Sequence, residues 1–214
     1  MLDMSSKGSA EFPQHLLDGL DMSVFEELCR STDERRDHKL KYADLELWLR
    51  RAWKEATRLD LERSPPVDVL DIGMGPGYFL YFCRKLGHRV TGLDRPGFYP
   101  FWQCLRQWLG IHRVIEHTIK PKQKLPPELG RFDLVTAFRA QFNFNLNEKR
   151  LWNLDEWAFF LDDLKRHLNP GGRVFLGLNP SGPNKEFYTP ELREFFLSRG
   201  AAVERENVMF PPAD

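Results

Sequence analysis

The feature that most constrains this 214-residue chain is the run Val67-Asp68-Val69-Leu70-Asp71-Ile72-Gly73-Met74-Gly75-Pro76-Gly77. An apolar strand that ends in a carboxylate and breaks into alternating glycines delivers bare backbone to a ligand at the strand's carboxyl end. Pro76 fixes its own φ and removes an amide, so the flanking glycines supply the freedom it lacks. Residues 78–86 are apolar on nearly every face, as a helix covered on two sides requires, and Gly87 is its stop. Residues 88–94 read as a short strand ending in Asp94, an acid placed to accept both hydroxyls of a ribose. Strand, glycine loop, helix, strand and acid point to an α/β fold that binds a ligand at the carboxyl ends of its strands.

Two classes of cofactor use such a unit, and the spacing separates them. A pyrophosphate-binding fold needs G-x-G-x-x-G, so that the diphosphate meets the helix amino terminus with no negative charge beside it. Here the spacing is G-x-G-x-G, and Asp71 lies two residues ahead of it. That carboxylate would repel a pyrophosphate and attract the ammonium of S-adenosylmethionine. The segment from Asp71 to Gly77 closely resembles the first motif of class I S-adenosylmethionine-dependent methyltransferases, and Asp94 matches the ribose-binding acid that ends their second strand. The likeness extends over about residues 67–178. Residues 132–138, where Asp133 opens an apolar run, match the family's fourth strand, and Leu168-Asn169-Pro170-Gly171-Gly172-Arg173 is a turn frequent in the family.

The resemblance implies a Rossmann-like, doubly wound sheet. The remaining segments read as a helix at 99–109, a strand at 112–118, a helix at 152–168, a strand at 173–178, a helix at 189–198 and a strand at 201–208. No residues are left for the family's usual seventh, antiparallel strand. The expected sheet therefore has about six mainly parallel strands in the order 3-2-1-4-5-6. Ahead of it, residues 1–14 read as a flexible tail and 15–66 as an N-terminal helical cap or lid. This cap has a helical turn or two at 25–29 and a longer helix at 42–61. Ser64-Pro65-Pro66 marks the entry to the S-adenosylmethionine-binding core at 67–214.

The family's chemistry is displacement at the methyl carbon of a sulfonium by a lone pair of the acceptor, with S-adenosylhomocysteine as product. It needs an in-line approach and, for oxygen nucleophiles, removal of a proton. The resemblance puts Asp71 near the donor's amine and Gly73, Gly75 and Gly77 around its methionine and ribose portions. It puts Asp94 on the ribose hydroxyls, Arg95 and Pro96 beside the adenine, and His117 and Thr118 at the adenine edge. Residues after strand four face the transferred methyl in this family, which selects Phe138, Arg139, Gln141 and Asn143. The Asn/Asp-Pro-Pro-aromatic element of the family's amide and nucleobase N-methyltransferases is replaced here by Phe138-Arg139-Ala140-Gln141-Phe142-Asn143. That departure favours O-methylation of a smaller acceptor. Asn143, Asn145 and Asn147 would share one side of an extended segment, or else make local turns in a surface loop.

Tyr42 or Lys41 could reach the donor's carboxylate, and His38 and Lys39 lie in the same amino-terminal segment. Residues 35–41 equally suit a solvated helix face. His38, Arg139 and Asn143 are the candidates for a catalytic role, and no general base stands out. The scattered His15, His88, His112 and His167 suit ordinary hydrogen bonding. The aromatic clusters at 98–102 and 152–160 suit core packing, with some rings available to an apolar acceptor.

Basic and acidic residues balance at 31 each, which argues against recruitment by nucleic acid or an anionic membrane. No apolar run approaches a membrane span. Three cysteines without metal-ligand spacing fit a reduced, cytoplasmic setting, and no metal is expected. The expected partner is a small-molecule acceptor. The alternatives are a protein or RNA substrate docked on the amino-terminal helices, a non-catalytic binding module and, more distantly, a nicotinamide enzyme.

Overall fold

The computed structural model describes residues 12–31, 40–97, 100–145, 147–180 and 187–212. In chain order the regular elements are α1 (Met22–Ser31), α2 (Leu45–Arg58), β1 (Asp68–Ile72), α3 (Tyr78–Lys85), β2 (Arg89–Asp94), α4 (Pro100–Trp108) and β3 (Val114–Glu116). There follow β4 (Phe132–Phe138), β5 (Phe144–Asn145), β6 (Arg150–Leu151), α5 (Leu154–Lys165), β7 (Leu168–Gly177), α6 (Pro190–Ser198), β8 (Ala202–Glu204) and β9 (Asn207–Phe210). The chain divides into two compact units, one of residues 1–66, 75–89 and 98–112, the other of residues 67–74, 90–97 and 113–214.

The second unit is built on a seven-stranded sheet of order β3-β2-β1-β4-β7-β9-β8. β2 and β3, β1 and β4, and β4 and β7 pair in parallel, while β9 runs antiparallel to both β7 and β8. The mixed α/β class is as expected, but the strand count and order are corrected. The segment expected to be one strand at 201–208 is broken at Arg205-Glu206, and Asn207–Phe210 returns as the seventh, antiparallel strand between β7 and β8. Arg205 takes φ +48° in that tight turn. Hairpin turns of this length usually announce themselves by Asn-Gly or Asp-Gly, and Arg-Glu carries no such mark.

Parallel strands covered on both faces bury neighbouring apolar residues, and Val69, Leu70 and Ile72 of β1 and Leu134, Val135 and Ala137 of β4 are all buried. The core of this unit joins Leu70, Ile72, Val135 and Leu176 of the sheet to Trp157, Phe160 and Leu164 of α5 and Leu192 and Phe196 of α6. α5 starts later than expected because Asn153 caps it, accepting from the Glu156 amide while the Glu156 side chain accepts from the Asn153 amide. The Asn-Pro-Gly-Gly turn stops no helix by itself. It is a bulge inside β7, between the pairs Phe132–Leu168 and Leu134–Arg173. Asp133 ties that bulge to β1, accepting from the Asn169 side-chain amide (2.8 Å) in the bulge and from the Asp68 amide (2.7 Å) of β1.

The first unit is helical. Tyr78 to Cys83 of α3 are all buried, with Leu49, Ala52, Trp53 and Ala56 of α2. Phe82 packs on Trp53 and Phe12, with ring centroids 5.5 and 5.9 Å away. Side chains of α3 and α4 donate to backbone carbonyls of the amino-terminal segment: Tyr81 to Leu16, Lys85 to Asp18 and Trp108 to Asp21. α2 is shorter than the expected 42–61, because Asp44 caps it at Leu47 and a 3-10 turn, Leu40–Ala43, precedes it. Of the expected tail, residues 1–11 lie outside the described residues, and a 3-10 turn begins at Gln14. Among the described residues no helix is long and apolar enough to cross a membrane.

Candidate active site

Parallel pairing of β1 with β4 puts Asp71 opposite Thr136, and the Thr136 hydroxyl donates to the Asp71 carboxylate at 2.9 Å. Asp71 is 3 % exposed. Burial pushes its carboxyl up to about 8, with the Thr136 bond opposing and the charge of Asp94 adding to the rise. This is the environment of an acid that lacks a countercharge. Immediately after it, the Gly73 amide donates to the Leu93 carbonyl of β2 at 2.7 Å. Gly73 has φ +68°, and a Cβ there would collide with Ala140, which follows β4. Met74 lies in the space that a side chain at Gly92 would fill. Gly92 therefore admits the loop to close approach with β2.

Asp94, 8 % exposed, ends β2 as expected, and its carboxylate accepts from the Arg95 amide at 2.9 Å. Its carbonyl accepts from the His117 amide at 2.8 Å, which fixes His117 beside it at the end of β3. The His117 Nε2 is buried with no hydrogen-bond partner. Burial lowers the pKa of His117, Lys120 acting with it and Glu128 against it. Arg95, Pro96 and Thr118 are exposed nearby in sequence.

At the end of β4, Phe138 stacks on Phe175 with centroids 5.5 Å apart. Arg139 takes φ +53°, held there by its amide on the Gly177 carbonyl (2.7 Å) and by Asn179 donating to its own carbonyl (2.5 Å). Its guanidinium is 3.4 Å from Glu206. Gln141 is exposed and Asn143 half-buried, with the Asn143 carbonyl accepting from the Trp152 amide at 2.9 Å. The three asparagines do not form one polar stripe. Asn145 is 5 % exposed and turns inward, its amide donating to Glu156 (3.0 Å) and Glu148 (3.2 Å) while its oxygen accepts from the Asn147 and Glu148 amides. Asn145 thus builds the β5–β6 turn, and Asn147 sits in that turn.

In the helical unit, Gly75 and Gly77 take φ +54° and +93°, and Gly77 starts α3 by accepting the Tyr81 amide at 2.9 Å. Tyr42 accepts from the Tyr78 hydroxyl through its carbonyl (2.6 Å), and its ring lies 5.2 Å from Trp102 and 4.5 Å from Trp48. His38 and Lys39 lie outside the described residues, as does the side chain of Lys41. His88 and His167 bond to the carbonyls of Leu61 and Gly130, a structural use. Sequence reasoning missed Thr136, Ala140, Gly92 and Arg106, the last of which donates to the Gly75 carbonyl. Only the strand register exposes Thr136 as the partner of Asp71, and Ala140 and Gly92 carry no chemical mark of their role. Among the described residues no His, Cys, Asp and Glu group could hold a metal.

These residues suit a ligand with a cationic amine, a diol and an aromatic base: an uncompensated buried acid, a second acid one strand away, and an orphan imidazole nitrogen beside it. The methyltransferase domain family matches residues 70–176, half of the chain, from inside β1 to the end of β7. The chain is a class I S-adenosylmethionine-dependent methyltransferase. S-adenosylmethionine is its methyl donor.

Solved structures share the fold of this methyltransferase. DesVI of Streptomyces venezuelae is 15 % identical over 86 % of this chain and 100 % of its own, with a TM-score of 0.59. The 1,6-didemethyltoxoflavin-N1-methyltransferase of Burkholderia thailandensis, crystallised with 1,6-didemethyltoxoflavin and S-adenosylhomocysteine, is 22 % identical over 90 % and 89 %, at 0.54. An O-methyltransferase family protein of the same organism is 13 % identical over 94 % and 70 %, at 0.53. No curated protein matches the methyltransferase in sequence.

Proposed function

We propose that this methyltransferase acts on a small-molecule acceptor, at an oxygen in preference to a nitrogen. The observation that carries the donor assignment is the buried, uncompensated Asp71 one strand from Asp94. When bound, S-adenosylmethionine supplies a methyl group on a sulfonium, already activated for displacement. Asp71 would face the donor's ammonium, and Gly73, Gly75 and Gly77 would let the loop backbone close on the methionine and ribose portions. Asp94 would accept from the ribose hydroxyls, and the unpartnered His117 Nε2 would meet the adenine edge beside Arg95, Pro96 and Thr118. Phe138, Arg139, Gln141 and Asn143 would line the acceptor side and hold the nucleophile in line.

The oxygen preference rests on the missing Asn/Asp-Pro-Pro-aromatic element after β4. A nitrogen acceptor is the second reading, favoured by one feature: residues 138–143 carry amides and a guanidinium but no carboxylate or imidazole to take a proton. An amine with a free lone pair needs none. The two separate by product mass spectrometry after transfer of labelled methyl from S-adenosylmethionine to fractionated small molecules. Label appearing only in protein or RNA would replace both with a macromolecular acceptor. The donor side is tested on its own by Asp94→Ala, which removes the ribose acceptor. This substitution is expected to weaken S-adenosylhomocysteine binding by about 10- to 100-fold, about 1.4 to 2.8 kcal/mol. An unchanged dissociation constant would show that Asp94 has another role.

A further inference from the structure

The glycine loop is gripped by a residue that the donor chemistry does not use. Arg106, on α4, is 6 % exposed, and its Nε donates to the Gly75 carbonyl at 2.8 Å. One helical turn earlier on the same face stands Trp102, 8 % exposed, whose ring edge lies 3.9 Å from where a Gly75 Cβ would be. The pair therefore borders Gly75 at two points, the ring on the side where a Cβ would stand and the guanidinium on its carbonyl. This matters because the Gly75–Pro76 peptide has no N–H of its own, and of the two torsions that orient it only Pro76 φ is fixed by the chain, Gly75 ψ being free. The loop's own backbone therefore leaves the direction of the Gly75 carbonyl to Gly75 ψ. A buried guanidinium is costly unless bonded, so its bond to one carbonyl selects one rotation strongly.

We propose that Arg106 is a positioning residue for the methyl donor: through the Gly75 carbonyl it holds the glycine loop in the one conformation that admits S-adenosylmethionine. The inference rests on the glycine loop being the donor site. A bound carbonyl also keeps the loop's negative dipole turned toward α4, leaving glycine Cα atoms as the surface offered to the donor. Arg106 touches no reacting atom in this account, and the guanidinium acts only on the shape of the loop.

Two substitutions of equal stem length isolate the bond. Arg106→Met reaches as far as the ε position without a donor, whereas Arg106→Gln places an N–H at that position. Calorimetric titration with S-adenosylhomocysteine is expected to give a dissociation constant about tenfold higher for Arg106→Met and within about threefold of wild type for Arg106→Gln. Amide exchange in residues 73–78 of the ligand-free protein should quicken in Arg106→Met while that of residues 154–165 stays unchanged, a contrast that general loss of stability does not produce. Met binding as tightly as wild type, or Gln binding as weakly as Met, overturns the proposal. If Arg106→Met does not fold, hydrogen exchange of the wild-type Arg106 Nε–H decides: a bond that favours binding must itself be favoured by binding, so its exchange must slow when S-adenosylhomocysteine saturates the protein, and unchanged exchange contradicts the role. Failure of the wild-type protein to bind at all would instead overturn the donor assignment itself.

Discussion

At the scale of single residues, Asp71 carries strong electrostatic tension. Its folded carboxyl titrates at about 8, far above the ordinary 3.8. Between those values the native state holds a proton that the unfolded chain has released, so stability is full below about pH 4 and falls as pH rises toward 8. The slope is at most about 1.4 kcal/mol per pH unit. Asp71→Asn should abolish that component. Urea unfolding of the ligand-free protein between pH 5 and 8 is expected to show the variant gaining on wild type as pH rises, and parallel curves would show that Asp71 is compensated. The donor's ammonium favours the ionised form, so donor affinity of the wild type should rise over the same window and that of the variant should be weaker and flat. Asp71, the three glycines and Asp94 stand out in the sequence because each breaks a local pattern. Thr136 and Ala140 conform to theirs, as a β-branched strand residue and a small loop residue, and only strand register gives Thr136 a role and only the approach to Gly73 gives Ala140 one.

At the scale of elements, the β5–β6 hairpin is fixed by charge. Arg150 forms a two-pronged pair with Glu156 at 2.6 and 3.2 Å and also reaches Glu148. Burial raises the Glu156 carboxyl, but the bonds from Arg150, the Asn153 amide and Asn145 more than offset it and leave it lowered. A lowered carboxyl stabilises the fold above its ordinary range, and the benefit is lost as pH falls through the folded value. Glu156→Gln should cost about 2 kcal/mol near pH 7, discounted for the half-exposed arginine, and progressively less toward pH 4. Equal stability at pH 7 would mean that the network holds nothing.

The β8–β9 turn makes the opposite case. Arg205 sits at φ +48°, where an L side chain is strained, so Arg205→Gly is expected to stabilise by about 0.5 to 1 kcal/mol. A loss of stability would place its value in side-chain contacts with Glu206, 3.9 Å away. This turn is also where sequence reasoning failed. A strained Arg-Glu turn lacks the glycine or asparagine that signals reversal, and the seventh strand went unseen for that reason. The Asn-Pro-Gly-Gly bulge inside β7 misled in the same manner, since its residues are those of a stop and its hydrogen bonds continue a strand.

At the scale of the whole molecule, the parallel half of the sheet was legible because strands covered on both faces and glycine loops leave strong, local signatures. The division into two compact units was not, because it follows contacts rather than chain order: α3 and α4 group with the amino-terminal helices although in sequence they alternate with β1, β2 and β3. The acceptor was illegible for a different reason. The segments proposed to contact it are loops whose chemistry is generic, while the proposed donor site rests on backbone geometry and two acids. The central claim is accordingly about the donor, and calorimetric titration of the full chain with S-adenosylhomocysteine and, separately, with NAD tests it most directly. The account predicts saturable one-to-one binding of S-adenosylhomocysteine, strengthened from pH 6 to pH 8, and no heat from NAD; saturable binding of NAD with no response to S-adenosylhomocysteine would contradict it.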